Sequence, residues 1–336
     1  IRDFRISYVI FTISNQRALQ PFFLFMKNLE YINLPSNIEL FAKQVVEGFI
    51  TGKHKSPFHG FDVEFAEHRL YNSGESTKHI DWKLYGRTDK LFNKRYQEET
   101  NLRCQLVIDA SSSMYYPISK KVSLDNPNKL LFAIYASAVM INLLKKQRDA
   151  VGLSLFTDKL DVHTPSKTTQ RHHRILYSEL EKLLKLDAVT ELRTTNSIEA
   201  IHQISELIHK RSLAMIFTDF MHPDKSLEEQ FEAYKHLKHN KHEVILFYLS
   251  EPNTEIDLEF SKKPYKFIDI ENGEEIKLNP QLMQKNYTKQ AKNHLKELKL
   301  KCLQYKIDLI EVDINKGFDS LINSYLVKRQ KMLWGL

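Results

Sequence analysis

Apolar and polar residues follow two different periodicities along the chain from residue 101 onwards. Short apolar runs indicate buried strands, whereas apolar residues that recur every three or four positions indicate helices. Strands are predicted at 105–109, 151–156, 160–163, 213–218, 243–249 and 307–312. Helices are predicted at 130–144, 174–186, 197–210, 227–239 and 280–305, with a last helix that ends at 331. This alternation of strand and helix predicts an α/β fold with a doubly wound, mainly parallel sheet.

A predicted hairpin interrupts the alternation. Residues 265–270 and 276–278 have the composition of strands, and the Asn272-Gly273 dipeptide between them is typical of tight hairpin turns. We therefore assign residues 101–331 to one α/β domain that closes with this hairpin, a long helix, a strand and a helix.

The chain before residue 101 has a different pattern. Apolar residues recur at helical spacing over 38–52, where Asn37 is suited to open the helix and Gly52 to close it. Strand-like segments follow at 62–71 and 90–97. The pattern predicts a small α+β amino-terminal module over residues 37–100.

Oxygen-bearing side chains follow two of the predicted buried strands. Asp109 ends the strand 105–109, with Ser111 and Ser113 just after it, and Asp219 comes directly after the strand 213–218. Thr195 precedes a predicted helix, and ligands of open α/β sheets bind where strand ends and helix starts meet. Carboxylates and hydroxyls suit Mg²⁺ or Mn²⁺ better than zinc or copper. The alternative interpretation is a set of ordinary polar turns, because Asp and Ser favour turns in any fold.

These residues resemble the metal-ion-dependent adhesion site of von Willebrand factor A domains. The resemblance assigns the metal ligands to Asp109, Ser111, Ser113, Thr195 and Asp219. A second set of motifs precedes them: Ser56-Pro57-Phe58-His59-Gly60, Val63-Glu64-Phe65, Gly74-Glu75, Ile80-Asp81-Trp82 and Arg87-Thr88. These motifs resemble the bacterial domain-of-unknown-function family 58, whose members carry a von Willebrand-like domain after a short amino-terminal module.

The resemblance covers residues from about 40 to about 331, and it implies a function. It implies a bacterial, cytoplasmic adaptor protein that docks other proteins through a carboxylate bridged by Mg²⁺ or Mn²⁺ and that has no catalytic residues. Its relatives are associated with MoxR-type AAA+ ATPases, so the implied partners are such an ATPase and its client proteins in chaperone-like assembly. Residues 1–36 lie outside the resemblance, and we describe them as a lead segment that is either disordered or an upstream extension.

Composition excludes some classes of protein. With 336 residues, of which 42% are hydrophobic, the chain can bury one large core and a smaller one. Cys104 and Cys302 are the two cysteines, and we expect both to be buried reduced thiols rather than a secretory disulfide. The apolar stretches 8–13 and 21–26 are far shorter than the ~20 residues that a membrane span requires, so no membrane span is predicted.

The net charge of +7 allows nucleic acid, an anionic membrane surface or an acidic protein as a partner. The basic residues are dispersed among 42 acidic ones, and no aromatic RNA-binding signature accompanies them. Nucleic acid is therefore not the expected partner, although a basic RNA-binding module stays open as an alternative.

An enzyme is the other alternative function. In a Mg²⁺-dependent phosphoester hydrolase, Asp109 and Asp219 would hold the metal and His79 would act as the base. Against a role of His79 with Asp81 in catalysis, we expect Ile80-Asp81-Trp82 to be structural, with Trp82 buried and Asp81 paired with an arginine such as Arg87. The histidines at 236, 239 and 242 alternate with lysines and predict a solvated helix end.

Overall fold

The structure is a computed structural model that describes residues 10–12, 30–31, 33–51, 65–71, 80–96, 102–119, 121–185, 197–220, 227–261, 265–268 and 275–334. Within these residues the strands are β1 (Ile10–Thr12), β2 (Glu30–Tyr31), β3 (Phe65–Leu70), β4 (Phe92–Tyr96), β5 (Arg103–Asp109), β6 (Lys121–Val122), β7 (Ala150–Phe156), β8 (Leu160–Lys167), β9 (Leu213–Thr218), β10 (Glu243–Ser250), β11 (Tyr265–Ile268), β12 (Glu275–Leu278) and β13 (Asp308–Asp313). The helices are α1 (Ile38–Thr51), α2 (Trp82–Thr88), α3 (Lys129–Lys146), α4 (Gln170–Lys185), α5 (Ser197–Leu207), α6 (Leu227–His239), α7 (Pro252–Glu255), α8 (Pro280–Gln304) and α9 (Asp319–Trp334). The chain divides into two compact units, one made of Ile1–Val46 with Leu102–Leu336 and the other of Glu47–Asn101.

A six-stranded sheet forms the centre of the larger unit. Its strand order is β13-β10-β9-β5-β7-β8, and all neighbours are parallel except β7 and β8, which are antiparallel. The predicted α/β fold with a mainly parallel sheet is therefore confirmed. The strand order reverses its direction between β5 and β9, and this is the switch point at which open α/β sheets leave a crevice for ligands.

The central strands are buried along almost their whole length, since both faces of a parallel sheet are covered by helices. Every residue of β7 and β9 is buried, and β5 and β10 are each exposed at their first residue alone. This is why continuous apolar runs marked these strands in the sequence. The edge strand β8 continues to Lys167, beyond the predicted 160–163, because its polar, partly exposed second half shows no apolar run.

Among the described helices of the larger unit, α3 is the most buried. Its side chains are buried without interruption from Lys129 to Leu144, as expected of a helix that is apolar on all sides. Asn128 caps the helix, and its Oδ1 accepts a hydrogen bond from the Leu131 N–H at 2.7 Å. The cap fixes the point where the helix begins, and Lys129 is its first residue.

A smaller sheet contains the predicted hairpin. Strands β11 and β12 pair antiparallel, from Tyr265 opposite Leu278 to Ile268 opposite Glu275, and the predicted Asn-Gly turn lies outside the described residues. β1, from the predicted lead segment, pairs antiparallel with β11 and completes a three-stranded sheet.

The smaller unit contains an antiparallel pair and a short helix. β3 pairs with β4, and α2 buries none of its residues. Asp81 is the N-cap of α2, where its Oδ1 accepts hydrogen bonds from the N–H groups of Lys83 at 3.0 Å and Leu84 at 3.1 Å. Trp82 is 63% exposed. The burial expected of Trp82 is therefore wrong, because the cap places this residue at the start of a short helix that has no buried face.

Candidate functional site

The carboxyl ends of β5 and β9 bring two of the predicted ligand segments together. The strands are parallel neighbours, with Ile108 opposite Phe217, so Asp109 and Asp219 emerge at the same edge of the sheet. The hydroxyl of Thr218 donates a 2.7 Å hydrogen bond to Asp109 Oδ2 across the two strands. The two aspartates are both 1% exposed. Thr195, the remaining predicted ligand segment, lies outside the described residues.

The loop after β5 is held in place by its own polar groups. Asp109 Oδ1 accepts a 3.0 Å hydrogen bond from the Ser111 N–H, and the hydroxyls of Ser111 and Ser113 lie 3.0 Å apart. A 3₁₀ turn, Ser112–Tyr115, follows, and all its residues are buried. The loop thus gathers one carboxylate and two hydroxyls in a fixed arrangement at the switch point.

A lysine that the sequence analysis missed lies beside Asp219. The Lys129 Nζ is 2.7 Å from Asp219 Oδ2 and 2.7 Å from Glu255 Oε1, and its side chain has no exposed surface. The ring of Tyr116 also faces this ammonium, with its centroid 5.5 Å from Nζ. Lys129 and Glu255 are therefore parts of the site, together with Thr218.

The position of Glu255 is fixed by its surroundings on α7. Its Oε2 accepts a 2.7 Å hydrogen bond from the Glu251 N–H, and its backbone carbonyl accepts one from the Tyr287 hydroxyl at 2.9 Å. Glu251 in turn accepts hydrogen bonds from the Thr254 N–H and from the side-chain amide of Asn315. These contacts orient Glu255 so that its Oε1 reaches Lys129.

Burial and neighbouring charges shift the pKa values of the site. Burial and, to a smaller extent, repulsion from Asp219 raise the pKa of Asp109 to about 6, although hydrogen bonds from Ser111 and Thr218 oppose the shift. Burial lowers the pKa of Lys129, but the two carboxylates beside it outweigh burial and raise the pKa overall. Burial raises the pKa of Glu255 as well, against the attraction of Lys129. Lys129 is therefore positively charged at neutral pH.

The buried acids of the site outnumber its buried cation. Among the described residues, Asp219 and Glu255 share the ammonium of Lys129, Asp109 is a third buried acid at this edge of the sheet, and Asp219 Oδ1 has no hydrogen-bond donor. An unpaired buried carboxylate oxygen is costly, so this oxygen is suited to accept a further cation. The donor set of the site, carboxylate and hydroxyl oxygens, fits Mg²⁺ or Mn²⁺. In the part of the chain that the structure describes, no three His, Cys, Asp or Glu side chains form a metal-binding group, so hydroxyl oxygens would have to complete the set.

The sequence contains one indication that Lys129 pairs with a carboxylate. A lysine in the first turn of a helix is unfavourable, because the positive end of the helix dipole lies there, and the residues that follow Lys129 are almost all apolar. A lysine at such a position needs a carboxylate partner from elsewhere in the fold. The sequence alone offers 42 acidic residues as that partner and does not select Asp219 and Glu255.

His236 and His242, two of the histidines predicted at a solvated helix end, contact other groups of the protein. His236 Nδ1 lies 2.9 Å from His202 Nδ1, and its Nε2 lies 2.8 Å from Glu206 Oε1. His242 is buried, and its Nδ1 accepts a hydrogen bond from the Ser212 N–H at 3.2 Å. The predicted solvated helix end is therefore wrong for His242, which ties the starts of two neighbouring strands together. His79 lies outside the described residues.

Three comparisons relate the chain to known proteins. A family model described as "Protein of unknown function DUF58" matches residues 67–297. A protein of Mycobacterium tuberculosis and one of Mycobacterium bovis, both described as uncharacterized, are each 23% identical to the chain over 186 residues. The match covers 55% of this chain and 56% of each relative, so the chain spans about half the length of the curated relatives it matches.

Solved structures show weak similarity. The conserved hypothetical protein BatB from Bacteroides thetaiotaomicron aligns with a TM-score of 0.41 and 17% identity over 69% of this chain and 99% of its own. An aerotolerance-related membrane protein from Bacteroides fragilis aligns with a TM-score of 0.39 and 16% identity over 68% of this chain and 99% of its own. Among the described residues of the present chain, none of the helices has the length and apolar character that crossing a membrane requires.

Proposed function

This chain belongs to the family described as protein of unknown function DUF58, and we propose that it is a non-catalytic docking protein with a divalent-cation site at the carboxyl edge of its sheet. The observation that carries the proposal is the meeting of the Asp109 loop with Asp219 at the switch point, where one buried carboxylate oxygen has no donor among the described residues. When bound, Mg²⁺ or Mn²⁺ would supply a Lewis-acidic position for a carboxylate of another protein.

The residues that would hold the ion are Asp109, Ser111, Ser113 and Asp219, and Thr195 is added from the resemblance. The backbone N–H of Ser111 and the hydroxyl of Thr218 orient the Asp109 carboxylate. Ser111 and Ser113 present neutral oxygens, so the protein neutralises little of the charge of a bound ion. A weakly neutralised ion attracts a carboxylate of a partner protein, and this is the chemistry of docking.

The type of the domain is part of the proposal. A sheet with a switch point between its first and fourth strands and one antiparallel edge strand, β8, agrees with the von Willebrand factor A type. From the same resemblance we propose a MoxR-type AAA+ ATPase and its client proteins as partners in chaperone-like assembly.

The hydrolase alternative receives less support from the site. A metal-dependent phosphoester hydrolase uses several carboxylates to hold metal and water, whereas here Asp219 Oδ2 is already paired with Lys129 and the loop supplies hydroxyls. The RNA-binding alternative predicts affinity for RNA that falls steeply with salt concentration.

The proposal is tested by metal titration of the purified chain. Calorimetry with Mn²⁺ is expected to show weak, saturable binding that is lost in the Asp219→Asn variant and in the double variant Ser111→Ala/Ser113→Ala. The matched control is Asp308→Asn. Asp308 begins β13, so it lies at the amino edge of the same sheet, and it pairs with Lys328. Absence of Mn²⁺ binding at millimolar concentration in the parent protein would contradict the cation site.

Docking is tested separately. Capture of the MoxR-type ATPase by the immobilised chain is expected to require Mg²⁺, to be reversed by a chelator and to fail for the double serine variant. Capture that is unchanged by the chelator would show an ordinary interface that does not involve the ion.

A further inference from the structure

The ammonium of Lys129 differs from that of a surface lysine, and it also differs from one that pairs with a single carboxylate. It is wholly buried, and it bridges two carboxylates that come from different strand ends, at 2.7 Å from each. Asp219 follows β9, and Glu255 lies on α7, the helix after β10. A buried lysine with two carboxylate contacts is a fixed positive charge of the site.

Asp219 shows how this charge is shared. Its Oδ2 is paired with Lys129, while its Oδ1, on a side chain that is 1% exposed, has no donor among the described residues. Because Lys129 is shared with Glu255, it compensates only part of the charge of Asp219, and Oδ1 is left to accept a cation from solution.

We propose that Lys129 is a built-in cation that sets the affinity of this site for divalent ions. Its ammonium neutralises part of the charge of Asp219 and Glu255, so that the folded chain is stable without metal. Its positive charge also repels a divalent ion that binds to Asp219 Oδ1. The inference rests on the proposed cation site, but not on the docking of a partner. It predicts that removal of the lysine charge changes a weak, optional divalent site into a tight one on which folding depends.

The test compares Mn²⁺ binding and thermal unfolding of the parent chain and the Lys129→Met variant. Methionine keeps most of the apolar stem of lysine and removes the terminal charge. With the ammonium gone, the variant is expected to melt at a lower temperature in chelator, to be restored by millimolar Mn²⁺, and to bind Mn²⁺ about tenfold or more tightly than the parent.

The matched control is Lys145→Met. Lys145 lies in the last turn of the same helix and pairs with Glu39 at 3.1 Å on a partly exposed surface. This variant removes the same charge at the far end of α3, and its Mn²⁺ affinity is expected to equal that of the parent.

The double variant Lys129→Met/Glu255→Gln separates charge from packing. It removes one positive and one negative group, so the charge sum of the cluster returns to the parent value, and its Mn²⁺ affinity is expected to return towards that of the parent. The single variant Glu255→Gln keeps the ammonium and is expected to bind Mn²⁺ more weakly than the parent.

The outcomes separate this inference from the proposed function. Equal Mn²⁺ affinity of Lys129→Met and the parent overturns the role of Lys129 but leaves the cation site in place. Binding by Lys129→Met and not by the parent supports the role of Lys129 and contradicts the proposed docking ion. A Lys129→Met chain that stays unfolded in millimolar Mn²⁺ also counts against the inference, and so does a Glu255→Gln chain that binds as tightly as the parent.

Discussion

Gly152, in the middle of β7, is a position where one added methyl group is expected to disturb the sheet. A Cβ built on Gly152 would overlap Gln105 Oε1 and would lie 2.6 Å from the Thr164 carbonyl oxygen and 2.8 Å from the Ser166 backbone nitrogen. The last two atoms belong to the backbone of β8, so they move only if the strand moves. Gln105 is not free to withdraw either, because its amide donates hydrogen bonds to Ser154 Oγ and to the Thr164 carbonyl.

The size of the effect follows from these contacts. Overpacking of a rigid site costs typically about 1–3 kcal/mol, and two backbone contacts place Gly152→Ala at the upper end of that range. The reduced entropy of the unfolded chain returns about 0.4–1 kcal/mol. We therefore expect a net loss of about 2 kcal/mol in the free energy of unfolding, which corresponds to a fall in Tm of roughly 4–8 °C.

The assay is thermal unfolding followed by circular dichroism, with Gly48→Ala as the matched control. Gly48 lies inside helix α1, and a Cβ there would meet no atom within 4 Å. The control is expected to be stabilised by up to about 1 kcal/mol, since alanine is the better helix former. A Tm of Gly152→Ala equal to or above that of the parent would refute the reasoning that β8 closes tightly over this glycine.

Three further predictions concern charge and exposure. Because the pKa of Asp109 is raised to about 6, its carboxylate takes up a proton in mildly acidic solution. Calorimetry is therefore expected to show that Mn²⁺ affinity falls as the pH is lowered from about 7.5 to about 5.5. An affinity that rises as the pH is lowered would contradict the role of Asp109 as a metal ligand. Arg329→Met removes the guanidinium that lies 3.0 Å from the carboxylate of Asp149, a side chain that is 1% exposed. Urea unfolding is expected to show a loss of about 3–5 kcal/mol, and Arg329→Met/Asp149→Asn should recover part of it. Trp82→Ala is expected to lower the free energy of unfolding by less than about 1 kcal/mol in the same assay, because the side chain is 63% exposed. A loss as large as that of a core residue would show that the tryptophan is buried in solution.

The strands of the central sheet were predictable because each is marked by a pattern within its own few residues. Strands β5, β9 and β10 each contain a run of consecutive apolar residues, since both faces of these strands are covered, and such runs are visible without knowledge of the fold. The meeting of Asp109 with Asp219 followed from one further step, which is that parallel strands end at the same edge.

The partners of these acids were not predictable in the same way. Lys129 is bound by Asp219 and Glu255, 90 and 126 positions away in sequence, and no local pattern connects them. Trp82 shows the opposite difficulty, because an aromatic residue predicts burial in most contexts, whereas here the N-cap formed by Asp81 places it on an exposed helix start. Distant charge pairing and the faces of short helices are both set by tertiary structure.

The shared ammonium also restricts how this sequence can drift during evolution. Lys129, Asp219 and Glu255 form one buried group, so a change at any one of them leaves the others without compensation. A neutral residue in place of Lys129 should therefore survive in one of two settings: together with an amide in place of Glu255, or in lineages where a metal ion takes over the charge of the lysine. Among relatives of this chain, positions 129 and 255 should therefore covary, although one begins α3 and the other ends α7.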